Sequence, residues 1–327
     1  MKTKFTTFLF SIFLGQAALA QSDYQNIFNS VDPINLVNVL KEMTGGVPVI
    51  VKGEKLILNN RYTAEAKANF RKYWTNYFQN LGLTVQELSY KTKHTKIEPE
   101  GHNLEAIIPG LSEDSIVIIV HYDSIGKSES ETKNPGVDDD MSGMAVSLET
   151  ARILAPYAGK LKYTVRFVAS DFEEWAVPGL EGAREYAKYI QSLSKHKGFK
   201  LVAAVDNEQI GWSGGDHGSS FDVFSCSRGI FGIRKYDFKA IGDALEQVAA
   251  QYSSMKVKRD CIGENSDQYA MWEIGVPTVV YSEHNPFHNP HFDAEGDDTF
   301  DRIDQDYFIK IAKIGVTFAA TLAGLPE

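Results

Sequence analysis

The feature that most constrains the fold is an almost uninterrupted apolar run at 115–120 (SIVIIV), with polar residues on either side. A strand that is apolar at successive positions has both faces buried, which is typical of parallel sheets covered by helices. Further short apolar strands alternate with amphipathic helices along the rest of the chain. The predicted strands are 103–108, 115–120, 163–169, 201–205 and 277–281, and the predicted helices are 141–154, 181–193, 239–252 and 309–322.

This alternation predicts an α/β fold, a three-layer α/β/α sandwich around a mixed, mostly parallel central sheet. Residues from about 23 to 82 are predicted to be mainly helical, and the aromatic stripe within 62–81 is interpreted as core packing. The 43% of hydrophobic residues suits one packed domain over residues 21–327. The net charge of −10 provides no basic footprint, so nucleic acid is not expected as a partner.

The N-terminus has the three parts of a secretory signal peptide. Lys2 and Lys4 precede an apolar stretch over about 5–15, and Ala18-Leu19-Ala20 forms a small-x-small cleavage site. The apolar stretch is shorter than the roughly 20 residues of a membrane-spanning helix. We therefore expect residues 1–20 to be removed and the mature chain to be secreted or periplasmic, without a membrane association.

The chain has two cysteines, Cys226 and Cys261. In an oxidising compartment they can form a disulfide. Two separate buried thiols are an equal alternative, because the sequence does not give the distance between them.

Acidic residues and histidines follow the predicted strands at the ends where ligands bind in an open α/β sheet. Each has an ordinary structural explanation, such as capping of a helix by Asp138–Asp140, but together they place many carboxylates in one crevice. Buried carboxylates raise each other's pKa, and a metal cation relieves that repulsion. Imidazole and carboxylate ligands without thiolate suit zinc best, with manganese or cobalt as alternatives.

Five segments, taken in order, resemble the secreted di-zinc aminopeptidases, a family that also contains the glutaminyl cyclases. The resemblance covers about residues 100–310 and implies a mixed, mostly parallel sheet, two zinc ions per chain and peptide substrates with a free N-terminus. The segments are HYDS (121–124), PGVDDDMSG (135–143), FEE (172–174) with GLEG (179–182), the strand-end Asp206, and a histidine before DTFDRID (298–304).

The resemblance also implies a role for each matching residue. Asp139 would bridge two zinc ions, with His121 and Asp206 completing one site and Glu174 and His291 the other. His288 and then His284 stay open as alternatives for the last ligand, because an apparent insertion at 292–297 separates His291 from the Asp-Thr pair. Glu173 would be the general base, and Asp123 would orient His121. Two other departures are a small insertion at 175–178 and Gln268 where the family commonly has a histidine.

We therefore expect an exported zinc-dependent aminopeptidase in which a water bridging two zinc ions is the nucleophile. A glutaminyl cyclase with a single zinc is the main alternative. Another hydrolase of the same fold, such as a carboxypeptidase, and a non-catalytic binding module are further alternatives. The sequence contains no Gly-x-Ser-x-Gly elbow and no phosphate-binding loop of the Walker type. It leaves open the preferred N-terminal residue and the oligomeric state.

Overall fold

The computed structural model of this chain describes residues 19–125, 135–175, 179–214, 217–228, 234–263, 266–292 and 297–326. The predicted signal peptide therefore lies almost wholly outside the described residues. The helices are α1 (Leu19–Ser30), α2 (Pro33–Met43), α3 (Ala64–Asn80), α4 (Met141–Leu154), α5 (Glu181–Lys197), α6 (Lys239–Tyr252), α7 (Gln268–Glu273) and α8 (Gln305–Ala323). The strands are β1 (Val49–Val51), β2 (Glu54–Leu56), β3 (Thr84–Tyr90), β4 (Gly101–Ile108), β5 (Ser112–His121), β6 (Tyr163–Ser170), β7 (Leu201–Asn207), β8 (Ser220–Ser227), β9 (Lys256–Ile262) and β10 (Thr278–Glu283).

Eight of these strands form one sheet in the order β3-β4-β6-β5-β7-β10-β8-β9. The four central strands, β6, β5, β7 and β10, are parallel to one another. Antiparallel pairing occurs toward the margins, where β4 joins β6 and β8 joins β10. The prediction of a mixed, mostly parallel sheet is confirmed, and the carboxyl ends of its four central strands meet at one edge.

Strand β5 shows why the sheet is covered on both faces. Ile116, Ile118 and Val120 pack in the same core as buried residues of α4 and α8. Val117 and Ile119 point the opposite way and pack in a second core with residues of α5 and α7. Because successive side chains of a strand point to opposite faces, an uninterrupted apolar run needs a helical layer on each side. The predicted three-layer arrangement is confirmed.

The N-terminal segment is mainly helical, as predicted, and its aromatic stripe is buried. Phe70, Trp74 and Phe78 of α3 are fully buried in the core that contains α4 and α8. The prediction missed the hairpin of β1 and β2, because strands of three residues are too short to show an alternating pattern. Among the described residues, no helix is both long and apolar enough to cross a membrane.

The outer strands β3, β8 and β9 were also missed. The edge strand β9 has the sequence KVKRDCI, in which exposed and partly buried residues alternate and most side chains are charged or polar. Edge strands commonly carry such charges, which discourage pairing with another chain. The same charges hide the strand from a search for apolar runs.

Cys226 of β8 and Cys261 of β9 form a disulfide, with a Cα–Cα distance of 4.7 Å. Of the two alternatives for the cysteines, the structure therefore shows the disulfide and not two separate thiols. The bond links neighbouring strands at one margin of the sheet and closes a loop of 35 residues in sequence.

Replacing both cysteines, as Cys226→Ser with Cys261→Ser, should lower the free energy of unfolding by about 3–4 kcal/mol, because the unfolded chain gains the entropy of an open loop. Denaturant unfolding of the oxidised wild type, the reduced wild type and the double variant measures this change. Equal unfolding free energies in all three, or two titratable thiols in the native oxidised protein, would contradict the assignment.

Candidate active site and metal centre

Three side chains with metal-ligating atoms converge where the central strands end. His121, Asp139 and Glu208 each offer one atom, and these atoms lie within 4.8 Å of one another. His121 Nε2 is 3.0 Å from Asp139 Oδ1 and 3.8 Å from Glu208 Oε1. Within the described parts of the chain, this is the one group of three such residues. An imidazole and two carboxylates in this arrangement can hold a divalent metal ion.

His121 is fixed through its other ring nitrogen. Nδ1 lies 3.2 Å from the backbone oxygen of Asp123, which accepts its hydrogen and leaves Nε2 facing Asp139 and Glu208. The carboxylate of Asp123 is further from Nδ1, at 3.7 Å. The backbone carbonyl of Asp123 is therefore the nearer of its two contacts that orient His121.

The Asp123 carboxylate holds a neighbouring turn instead. Its two oxygens accept hydrogen bonds from the backbone N–H groups of Glu173 at 3.0 Å and Glu174 at 3.1 Å. Phe172, just before this pair, has the left-handed backbone conformation, with φ of 58°. The turn after β6 is thus held by a buried carboxylate that brings both glutamates to the end of β5.

Lys67 of α3 contacts the residues at the start of the same turn. Its ammonium group is fully buried, 2.9 Å from Asp171 Oδ1 and 3.5 Å from the centre of the Phe172 ring. A buried ammonium group requires such a partner, because an isolated charge is costly in the protein interior. A residue far earlier in the sequence thus fixes the start of the turn that carries Glu173.

Asp139 is held in the same manner as the two glutamates. The carboxylate of Asp298 accepts hydrogen bonds from the backbone N–H of Asp138 at 2.8 Å and of Asp139 at 3.0 Å. The next residue, Asp140, caps α4 by accepting a hydrogen bond from Gly143 N at 3.1 Å. The peptide bond between Asp139 and Asp140 is cis. The three consecutive aspartates therefore differ in role, and one of them is the helix cap considered above.

Arg61 lies behind this loop and is fully buried. Its guanidinium donates to the backbone oxygens of Pro135 at 2.6 Å and Gly136 at 3.1 Å. Burial lowers the pKa of Arg61 to about 10, although Asp298 and other nearby carboxylates act in the opposite direction. Arg61 is therefore a cation behind the acidic site, and no motif in the sequence pointed to it.

Two glycines of the motif segments let helices approach the strand ends. A Cβ on Gly143 would lie 2.1 Å from Asn207 O, and one on Gly182 would lie 2.1 Å from Asp171 O. Any side chain at either position would push α4 or α5 away from the sheet. These glycines therefore keep the helix N-termini close to the loops that form the site.

Glu208, not Asp206, lies level with His121. Asp206 still belongs to β7, where it pairs with Ile119 of β5, two residues before His121. Its carboxylate is buried inside the fold and accepts hydrogen bonds from Ser266 Oγ at 3.0 Å and Gln268 N at 2.9 Å. The predicted strand at 201–205 is shorter than β7, which continues to Asn207, so Asp206 is part of the strand and does not follow it. The structure places that residue outside the three-residue group and brings Glu208 into it.

Glu173 is partly buried beside the group. Burial raises its pKa well above the ordinary value, and the nearby carboxylates of Glu208, Asp267 and Asp139 raise it further, against the effect of His121. Burial likewise raises the pKa of Glu208 to about 7. Carboxyl groups in this setting are poised to exchange protons near neutral pH or to bind a cation.

Glu174 and the three C-terminal histidines lie outside the three-residue group. His291 Nδ1 is 2.7 Å from Asp297 Oδ2, and His284 Nδ1 is 2.7 Å from Asp222 Oδ1. His288 is exposed at the end of a short helical turn over Pro286–His288. The residues between His291 and Asp297 include 293–296, which lie outside the described residues.

Gln209 completes the surroundings of Asp139 and was also missed. Its Nε2 donates a hydrogen bond to Asp139 Oδ2 at 2.7 Å, on the side away from the contact between Asp139 Oδ1 and His121. A neutral amide carries no signal in a search for acidic residues and histidines. The only available sign was its place two residues after the end of a strand.

The chain is similar in sequence to a known peptidase family. The sequence model of peptidase family M28 matches residues 103–319 of the chain. A probable leucine aminopeptidase of Trichophyton verrucosum is 25% identical over 252 residues, which cover 75% of this chain and 60% of that relative. The chain thus spans about 60% of the length of that curated relative.

Two solved structures show the same fold. The LapA aminopeptidase of Legionella pneumophila has a TM-score of 0.71 at 19% identity, covering 94% of this chain and 76% of that one. A glutaminyl cyclase of Macrostomum lignano has a TM-score of 0.72 at 17% identity, covering 94% of each chain. Because the family match extends over most of the chain and includes the segments that form the site, this chain belongs to peptidase family M28.

Proposed function

We propose that this chain is a zinc-dependent aminopeptidase that removes residues from the free N-termini of peptides. The observation that carries the proposal is the convergence of His121, Asp139 and Glu208 beside Glu173, in a chain of peptidase family M28. Relatives named as leucine aminopeptidases support the same activity. The acidic surroundings of the site suit the positive charge of a peptide N-terminus.

The residues of the three-residue group fit zinc. A catalytic zinc site has three protein ligands of the imidazole and carboxylate type and leaves one position open. His121 has its Nδ1 hydrogen-bonded to a backbone oxygen, which is the outer contact that metal-ligating histidines usually make. Zinc bound there lowers the pKa of a water and polarises the carbonyl of the substrate.

Glu173 is the proposed general base. Its backbone is held by Asp123, so that its carboxyl group lies beside the proposed ligands without belonging to the group. Glu173 would accept a proton from the attacking water and donate it to the leaving amine. Its raised pKa brings the carboxyl group nearer to the pH at which both transfers occur efficiently.

A second zinc is part of the proposal, with Asp139 as the shared ligand and Glu174 and His291 as the others. The contact between His291 Nδ1 and Asp297 supports this role, because it leaves Nε2 as the ligating nitrogen. Glu174 is positioned by the same backbone contact with Asp123 that holds Glu173.

Export is also part of the proposal. The N-terminal pattern of residues 1–20 is that of a signal peptide. The disulfide between Cys226 and Cys261 supports a location outside the reducing cytoplasm. Sequencing the N-terminus of the mature protein from the producing cell tests the expected cleavage after Ala20.

The activity is tested by incubating residues 21–327 and zinc with a pool of short peptides, some beginning with Gln, followed by mass spectrometry. Stepwise loss of N-terminal residues, abolished by a chelator and restored by zinc, is the expected result. Loss of ammonia from Gln peptides alone would instead make the protein a glutaminyl cyclase. Cleavage from the C-terminus or no metal-dependent reaction would reject both activities.

The choice of Glu208 over Asp206 is tested by two isosteric substitutions. Glu208→Gln should weaken zinc binding by about tenfold or more relative to Asp206→Asn, because only Glu208 is expected to contribute a ligand atom. Competition with a chromophoric chelator measures both affinities, and thermal melting checks that each variant is folded. Equal losses, or a larger loss in Asp206→Asn, would return the ligand role to Asp206.

Glu173→Gln should lower kcat by about 10²–10⁴-fold, because the amide cannot accept the proton of the attacking water. The zinc content of the variant should match that of the wild type, since Glu173 is not a proposed ligand. Steady-state kinetics measures kcat, and elemental analysis measures the zinc content. Glu185→Gln, at a partly exposed position on α5, is the matched control. An equal kcat in both variants would remove Glu173 as the base.

A further inference from the structure

The two oxygens of the Asp139 carboxylate have different neighbours. Oδ1 faces His121 Nε2 at 3.0 Å, whereas Oδ2 accepts a hydrogen bond from Gln209 Nε2 at 2.7 Å. Asp139 and Gln209 are both only 7% exposed, so water does not readily replace either partner. A carboxylate that bridges two metal ions gives one oxygen to each, and here one of those oxygens already has a donor.

The position of Gln209 is fixed by its backbone. Its N–H donates to Asp140 Oδ1 at 3.2 Å, and its carbonyl oxygen accepts from Glu283 N at 2.7 Å and Ser282 Oγ at 3.0 Å. Its φ of 46° is in the left-handed region, which these contacts maintain. Because β10 and the aspartate loop hold the backbone from both sides, the side chain remains beside Asp139.

The amide N–H of Gln209 occupies one of the two lone-pair positions of Asp139 Oδ2 and draws electron density away from a cation at the other. The hydrogen bond to an ionised carboxylate is among the stronger kinds in proteins, and the positive end of the amide repels a cation placed beside it. This effect applies to Oδ2 and not to Oδ1. The other proposed ligands of the second metal, Glu174 and His291, also lie outside the group that contains Oδ1.

We propose that Gln209 makes the two metal positions of this chain unequal, so that zinc binds strongly on the side of His121 and Glu208 and weakly on the Oδ2 side of Asp139. This rests on the proposed function, because it concerns the same metals. While the amide donates to Oδ2 the second zinc binds more weakly, so the protein holds one zinc at concentrations that just saturate the first position. Gln209 is thus a positioning residue that sets the metal stoichiometry.

The test is a zinc titration of metal-free residues 21–327 by calorimetry, with elemental analysis of the dialysed protein. The wild type should bind one zinc with at least about tenfold higher affinity than the second, which is the ratio that a charge-assisted hydrogen bond supports. Gln209→Met keeps the length of the side chain and removes the donor. The second zinc should then bind about tenfold or more tightly than in the wild type, with the first little changed.

Gln209→Asn, whose shorter amide is withdrawn from Asp139, gives an independent variant if Gln209→Met is unstable, and it should strengthen the second position in the same direction. Gln251→Met on the surface of α6 is the matched control, and thermal melting reports folding. Two equal zinc sites in the wild type, or an unchanged or weakened second site in both Gln209 variants, would overturn the inference. If the wild type binds no zinc tightly, the proposed function is rejected instead. The titration of the wild type alone shows this, without either variant.

Discussion

The site depends on two buried aspartates whose carboxylates accept hydrogen bonds from backbone N–H groups. Neither aspartate is a proposed metal ligand. Asp123 accepts hydrogen bonds from two consecutive N–H groups in the turn that carries Glu173, and Asp298 does the same for Asp138 and Asp139. Each pair of amides would otherwise be buried without partners, which costs free energy. By satisfying them, each carboxylate fixes the direction of the acidic side chains in its turn. The geometry of the centre is therefore largely set by interactions one layer outside it.

A second constraint is the crowding of buried carboxyl groups next to the centre. The hydroxyl of Ser266 lies against both Asp206 Oδ2 and Glu208 Oε2, although it has one hydrogen to donate. Burial raises the pKa of both carboxyl groups, and the nearby Glu208 raises the pKa of Asp206 further. A cation beside Glu208 would favour the ionised form of that carboxyl group. The roles of these two acids thus follow from their depth in the sheet.

The sequence allowed the fold to be predicted because its central strands are buried on both faces and leave long apolar runs. The same patterns predicted that His121, Asp139 and Glu173 lie at one edge of the sheet, because the carboxyl ends of parallel strands share an edge. The choice between Asp206 and Glu208 needed the register of β7 against β5, which is set by contacts distant in sequence. Gln209 and Arg61 could not be found by residue type, because their importance comes from a neighbour that only the folded chain supplies.

The buried cations Arg61 and Lys67 bear on which residues the site needs in order to keep its shape. The family match starts at residue 103, yet Arg61 and Lys67 precede it and neutralise the acidic loops from behind. A protein trimmed to residues 103–319 would retain the carboxylates of the centre and lose both positive charges. The remaining carboxylates would then repel one another, and the loops that carry them would move apart even without a substrate. The N-terminal segment ahead of the sheet thus supplies positive charge that balances the acidic loops of the site.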